Sequence, residues 1–343
     1  MKGYPKTTSE GIGKIVGTET IDPRQAALRA WLEDLGIDPT DLEPVAADAG
    51  NRRYFRVPVS GGFRVVMDAP HQSADCLAYL RIGRLMAHAG VHIPRVYQTD
   101  LQQGFLLLED LGSQHYLAAL QRGEFEGLME DALTALVRWQ AATGADWLPH
   151  YDHQQLRREL DLFPNWYVQR HLGWDPDRKW WARWHAGSQL LVDAATRQPQ
   201  VWVHRDFMAR NLLVSVPNPG VIDFQDAVLG PVTYDLVSLL RDAFFQFTPD
   251  QEQHCIARYQ ALAAAYGIPV PEDLLMALDW MGAQRHLKVL GVCARLCHRD
   301  GKPRYIADAP RFMAYLDREC SPYGPLADLH DLIQSLPVSA EHS

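Results

Sequence analysis

Val203-His204-Arg205-Asp206-Phe207-Met208-Ala209-Arg210-Asn211-Leu212-Leu213-Val214 sets an Asp and an Asn five residues apart between two short β-forming runs. Asp223, twelve residues after Asn211, stands in Gly220-Val221-Ile222-Asp223-Phe224, a third β-like run entered through a Pro217-Asn218-Pro219 turn. Twelve residues further on, Asp235 stands in Gly230-Pro231-Val232-Thr233-Tyr234-Asp235-Leu236, where a helical pattern opens. A hairpin across the turn brings Asn211 and Asp223 together. This pattern suits phosphoryl transfer, in which a protein mainly positions reactants and neutralises charge. Asp206, on a tight loop, is placed to accept a hydrogen bond from an attacking hydroxyl. Asn211 and Asp223 offer hard oxygen ligands, and magnesium needs few of these because it keeps several of its own waters. Taken singly, Asp206 and Asp223 read equally well as strand ends and Asn211 as a turn cap. All three at these separations, in a β-loop-β setting, favour the catalytic reading.

Upstream of this segment the chain is β-rich. Residues 24–35 carry apolar side chains at helical spacing, at Ala27, Leu28, Trp31 and Leu32. Two β-rich runs within 46–67 flank Ser60-Gly61-Gly62 and read as a hairpin. A helix is predicted over 74–89, then strands over 92–97 and 104–108. Beyond Gly112 helices dominate, with patterns over 126–142, 154–171, 180–196, 234–247, 250–266, 271–299 and 306–319. The fold class is therefore α+β and two-lobed. The expected division is a leader over 1–22, a small β-rich N-lobe over 23–110 that binds nucleotide, and a large, mainly helical C-lobe over 111–343. The glycines of the Gly11-Ile12-Gly13-Lys14-Ile15-Val16-Gly17 stretch have the wrong spacing for a nucleotide loop and read as linker.

The whole-chain figures agree. With 343 residues, 47% apolar and 22% charged, the chain is an ordinary globular sequence; against about 150 residues per domain, this length gives two domains or lobes. Its net charge of −9 disfavours nucleic acid as a partner. Five cysteines form no disulfide framework and point to a reducing cytoplasm. Cys293 and Cys297, near His286 and His298, read as buried helix thiols rather than as metal ligands. No stretch reaches the ~18 consecutive apolar residues of a membrane span, and the first twenty residues lack the apolar core of a signal peptide. A monomer is expected.

The segment around Asp206 resembles the catalytic loop of the aminoglycoside phosphotransferase/choline kinase-like superfamily, which has a protein-kinase-like fold. Leu106-Leu107-Leu108-Glu109-Asp110-Leu111-Gly112 is similar to the inter-lobe linker whose backbone meets adenine, which implicates Glu109 and Leu111. Four stretches, at 52–57, 66–70, 220–242 and 284–291, resemble a narrower group: the anomeric N-acetylmuramate/N-acetylglucosamine kinases of peptidoglycan recycling. The resemblance implies ATP and Mg2+ as cofactors and an amino sugar as the small-molecule partner. It implies Asp206 as catalytic base, Asn211 and Asp223 as magnesium ligands, His204 as support for the loop, Asp235 as its brace and Gln225 as a substrate contact.

Two features depart from the usual kinase pattern. The Val65-Val66-Met67-Asp68 stretch lacks the customary Lys, and the helix after it lacks the partner Glu. Arg52, Arg53 or Arg56 would then supply the positive charge, with a solvated strand face as the plainer reading; Asn51, in a loop with one glycine, is expected beside the nucleotide. For the acceptor, Trp166 and Tyr167 offer aromatic faces, while Arg285, His286 and Lys288 offer donors suited to a carboxylate. Ordinary core packing is the competing reading for the aromatics. Competing functions are an aminoglycoside or other small-molecule O-phosphotransferase and a nucleotide-binding pseudokinase module.

Overall fold

The computed structural model describes residues 22–45, 52–69, 73–144 and 148–337. Residues 1–21 of the leader and Asn51 lie outside the described residues. Helix α1 (Pro23–Asp34) starts where the Asp22 carboxylate caps the Arg24 amide. Strands β1 (Glu43–Pro44), β2 (Arg53–Val59) and β3 (Gly62–Asp68) follow, then helix α2 (Ser73–His88) and strands β4 (Val96–Asp100) and β5 (Phe105–Glu109). The five strands form one antiparallel sheet in the order β1-β2-β3-β5-β4.

Strand periodicity gives this sheet two apolar faces. Phe55, Val57, Val66, Phe105 and Leu107 point one way and pack on Leu28, Trp31 and Leu32 of α1. Met67, Leu106 and Leu108 point the other way, into a core shared with α2 and with the second lobe. Strand β4 starts four residues later than the sequence predicts. The His92 carbonyl is taken by the Val221 amide at 2.8 Å and Pro94 has no N–H, so the ladder cannot begin there.

The second lobe carries α3 (Tyr116–Gln121), α4 (Glu126–Ala141), α5 (His153–Leu160), a π-helical stretch over Phe163–His171, and α6 (Arg178–Arg197). Short strands β6 (Gln200–Val203), β7 (Leu212–Leu213), β8 (Gly220–Val221) and β9 (Val228–Pro231) come next. The chain then runs through α7 (Tyr234–Leu240), α8 (Pro249–Ala265), α9 (Leu274–His298), α10 (Ala309–Cys320) and α11 (Ala327–Gln334). The single helix predicted over 154–171 is broken. Pro164 has no N–H to give the Leu160 carbonyl, and the backbone widens to π geometry there. Strands β6 and β9 pair with each other, as do β7 and β8. Among the described residues no helix is long and apolar enough to cross a membrane.

Candidate active site

The loop after β6 is held from behind by one carboxylate. Asp235, in the first turn of α7, accepts hydrogen bonds from the His204 amide at 2.6 Å and the Arg205 amide at 2.9 Å. These bonds fix Arg205 at φ +77°, a conformation that non-glycine residues rarely adopt. Burial pushes the Asp235 carboxyl up to about 7, against the two amides that favour its charged form. His204 is fully buried. Its Nδ1 faces the Asp206 amide, which can only donate, and its Nε2 faces the Ile222 carbonyl, which can only accept. The partners thus assign the proton to Nε2. Burial lowers the imidazole to about 4, so it is neutral near pH 7. His204 ties the loop to the β8 segment and has no spare nitrogen for proton transfer.

Asp206 opens a tight turn. Its carbonyl accepts from the Met208 amide at 3.0 Å and from Asn211 Nδ2 at 2.9 Å. The second bond occupies the nitrogen end of the Asn211 side chain and leaves its oxygen end for other partners. The Asn211 carbonyl accepts from the Ile222 amide at 3.0 Å, extending the β7–β8 pairing and drawing Asp223 alongside. Asp223 sits at φ +64°, which Asp tolerates better than most residues.

Two cavities meet this loop. A cleft of about 670 Å3 between the lobes is lined by Tyr54, Arg56, Val65, Glu109, Leu111, Asn211 and Asp223. A smaller cavity of about 300 Å3 lies between α2 and the loop, lined by Arg81, His150, Gln155, Arg205, Gln225 and Asp226. Asp206 is half-buried between Arg205, which lines one cavity, and Asn211, which lines the other.

The arginines at the sheet end divide by strand parity. Arg52 reaches across the lobes to Asp223 Oδ1 at 3.4 Å. Arg56 faces the cleft and pairs with Asp110 at 2.7 Å. Arg53 faces the other way, against the expectation of a nucleotide contact: with Arg24 it clamps the buried Asp68 carboxylate, at 2.7 and 2.6 Å. The cleft-side positions of β3 are Val65 and Met67, so this strand presents no cation there.

The expected acceptor contacts are corrected. Lys288 is committed to Glu159 at 3.0 Å and to the Tyr234 hydroxyl at 2.9 Å. Arg285 is buried and donates to Ser238 Oγ at 2.8 Å. His286 is fully buried, with Glu319 at 2.8 Å and the Arg241 carbonyl at 3.0 Å. Arg285 and His286 share one reason: α9 is enclosed on every side over 281–287, so its middle faces core. Tyr167 is buried and stacked on Phe163, and Trp166 packs against the same core.

Glu159 on α5 has no tag in the sequence, yet it binds Lys288, Arg205 and the Tyr151 hydroxyl together. Burial pushes its carboxyl up, but Lys288 and Arg205 outweigh that and hold it below the usual range. Arg81, His150 and Gln155 also escape sequence reading, since each is a lone polar residue on a helix or in a loop.

The two-lobed fold and this loop define a phosphotransferase. Residues 41–274 match the phosphotransferase enzyme family, and the chain belongs to it. It is 47% identical to the N-acetylmuramate/N-acetylglucosamine kinase of Pseudomonas aeruginosa over 93% of this chain and 99% of that one. It is 42% identical to the protein of that name from Neisseria meningitidis serogroup B, over 91% of this chain and 96% of that one. Among solved structures, choline kinase LicA from Streptococcus pneumoniae shares the fold with TM-score 0.60 at 12% identity, covering 87% of this chain and 99% of that one. The ADP-bound aminoglycoside phosphotransferase APH(2'')-Ib does so with TM-score 0.59 at 14% identity, covering 90% and 98%.

Proposed function

We propose that this chain is an ATP-dependent kinase that phosphorylates the anomeric hydroxyl of an N-acetylated amino sugar, N-acetylmuramate, N-acetylglucosamine or both. The observation that carries the reading is the turn that ties Asp206 to Asn211, with Asn211 and Asp223 side by side on the wall of an inter-lobe cleft, within a chain so similar to kinases of those sugars. The cleft takes the nucleotide, with Glu109 and Leu111 at the adenine end and Arg52 and Arg56 supplying positive charge.

Asn211 and Asp223 suit a hard divalent cation: both side chains are oxygen donors on the cleft wall, and the Asn211 nitrogen is turned away by its own hydrogen bond. They would hold Mg2+, which neutralises charge on the nucleotide phosphates. Asp206 orients the acceptor hydroxyl toward the γ-phosphorus. The new P–O bond forms as the bond to ADP breaks, and Asp206 receives the hydroxyl proton. Which hydroxyl reacts is set by which oxygen the site presents in line. His204 and Asp235 keep Asp206 in place. The five cysteines are free thiols, in keeping with a reducing cytoplasm.

The test is ADP release with N-acetylmuramate, N-acetylglucosamine and a set of aminoglycosides, with the product phosphate located by NMR. Sugar 1-phosphate is expected; turnover of aminoglycosides with neither sugar consumed would overturn the reading.

A further inference from the structure

The inter-lobe cleft has a base end and a phosphate end, and one side chain connects them. Glu109 and Leu111 stand at the first, Asn211 and Asp223 at the second, and all four line the cleft. A nucleotide that spans this distance lays its sugar over the residues in between. His115 lines the cleft there. It follows Leu111 by four residues, and its Nδ1 lies 2.6 Å from the carbonyl oxygen of Arg210, the residue before Asn211.

His115 occupies the N-cap of α3, where a short polar side chain ordinarily accepts a hydrogen bond from the first turn. It makes no such bond. Its ring turns to the catalytic turn instead. A carbonyl only accepts, so Nδ1 carries the proton, and the lone pair of the neutral ring lies on Nε2. His115 is exposed, and its side chain makes no other hydrogen bond to the described residues. The backbone makes the link stiff. The Val214 amide donates to the Gln114 carbonyl at 2.8 Å, and the Leu117 amide to the Ala209 carbonyl at 3.1 Å. His115 itself bridges to Leu213 in antiparallel fashion. Segment 114–117 therefore lies along 209–214, and the ring is held in place before any ligand arrives. An acceptor held in advance loses little entropy when it meets a donor. On a nucleoside triphosphate the uncharged donors are on the base and the sugar, and the base is placed at Glu109 and Leu111. The donor left for Nε2 is a sugar hydroxyl.

We propose that His115 recognises the ribose of the nucleotide: Nε2 accepts a hydrogen bond from one ribose hydroxyl, while Nδ1 holds the Arg210 carbonyl and with it the turn that carries Asp206 and Asn211. His115 is thus a positioning residue through which a bound ribonucleotide steadies the catalytic turn. The inference rests on the nucleotide reading of the cleft and is independent of which sugar accepts the phosphoryl group.

The experiment measures, by calorimetry, the affinities of the full chain for ATP, 2'-deoxy-ATP and 3'-deoxy-ATP, and kcat with ATP and the better of the two amino sugars. The variants are His115→Ala and His115→Asn. Asn places an amide N–H where Nδ1 stands and has no group where Nε2 stands. The wild type is expected to bind one of the two deoxynucleotides about fivefold more weakly than ATP, the loss of one hydrogen bond. Both variants are expected to bind all three nucleotides within about twofold of one another. His115→Ala lowers kcat by about fivefold, and His115→Asn keeps most of it. A wild type that binds the three nucleotides alike, or a preference that survives in both variants, overturns the ribose contact. Equal kcat values in the two variants overturn the role given to Nδ1. His115 is exposed and Asn is a favoured N-cap, so His115→Asn reports even if His115→Ala loosens α3. A wild type that binds no ATP refutes the nucleotide reading itself. One that binds ATP, with the preference unmoved by either variant, refutes only the assignment of His115.

Discussion

Asp206 carries the heaviest chemical demand, and its removal should leave the cleft in place. Asp206→Asn is expected to lower kcat by about a thousandfold while ATP affinity, measured by calorimetry, stays within a few-fold. Behind it, His204 and Asp235 titrate in opposite senses. Unfolded His204 takes a proton near pH 6.5, whereas the folded residue waits until about pH 4, so this group's contribution to stability is lost as pH falls through that window. Folded Asp235 keeps its proton up to about pH 7, whereas an unfolded Asp loses it near pH 3.9, so this group weakens the fold as pH rises through its window. Where the windows overlap, the two slopes oppose each other. Asp235→Asn should therefore show a urea midpoint that falls more steeply than wild type from pH 6.5 to 4, and His204→Gln a shallower or reversed slope. Equal slopes in the two variants would contradict the burial of these groups.

At the scale of elements, α9 is the post against which the C-lobe is built, and two features hold it there. Gly291 lets the entry to the π-helical stretch approach the helix directly: a Cβ at this position would lie 2.6 Å from the Leu162 carbonyl oxygen. Gly291→Ala is expected to cost about 1–3 kcal/mol in equilibrium unfolding, because backbone rather than a flexible side chain must give way. The second feature is Glu159 on α5, which sits between Lys288 of α9 and Arg205 of the catalytic loop. Glu159→Gln leaves two cations in a largely buried place without their shared carboxylate. A loss of about 3–5 kcal/mol in stability is expected, with a fall in kcat larger than any change in KM for ATP, because Arg205 adjoins Asp206.

Across the whole molecule, the lobes are less separate than their secondary structure suggests. One face of the N-lobe sheet has its own core with α1, but the other face shares a continuous core with the helical lobe: Met67, Tyr79 and Met86 lie in the same cluster as Tyr116 and Phe224. Tyr79 and Phe224 are in ring contact across the boundary, with centroids 4.6 Å apart. The division proposed at residue 110 therefore does not separate two self-contained cores. Calorimetry should show a single unfolding transition, with calorimetric and van't Hoff enthalpies in agreement. Arg52 bridges the same boundary to Asp223. Arg52→Ala is expected to raise KM for ATP about tenfold with little change in Tm, since a pair open to solvent on one side contributes little to stability.

The sequence by itself determined the β-rich and helical halves and the grouping of Asp206, Asn211 and Asp223. These depend on local rules: strand parity, turn residues, and a hairpin short enough for spacing to fix which residues face each other. It did not determine which cations meet a ligand. Arg53 and Arg56 are three residues apart on one strand and so lie on opposite faces, a difference that matters only once α1 covers one face and the cleft opens on the other. Arg285, His286 and Lys288 look like donors on a helix, because helical periodicity cannot tell a helix wrapped by the core from one that borders a cavity. Glu159 carries no local signal, and only the packing of α5 against α9 and the loop brings it to Lys288 and Arg205. Contacts between distant segments depend on the assembled volume, and no local pattern of residues encodes it.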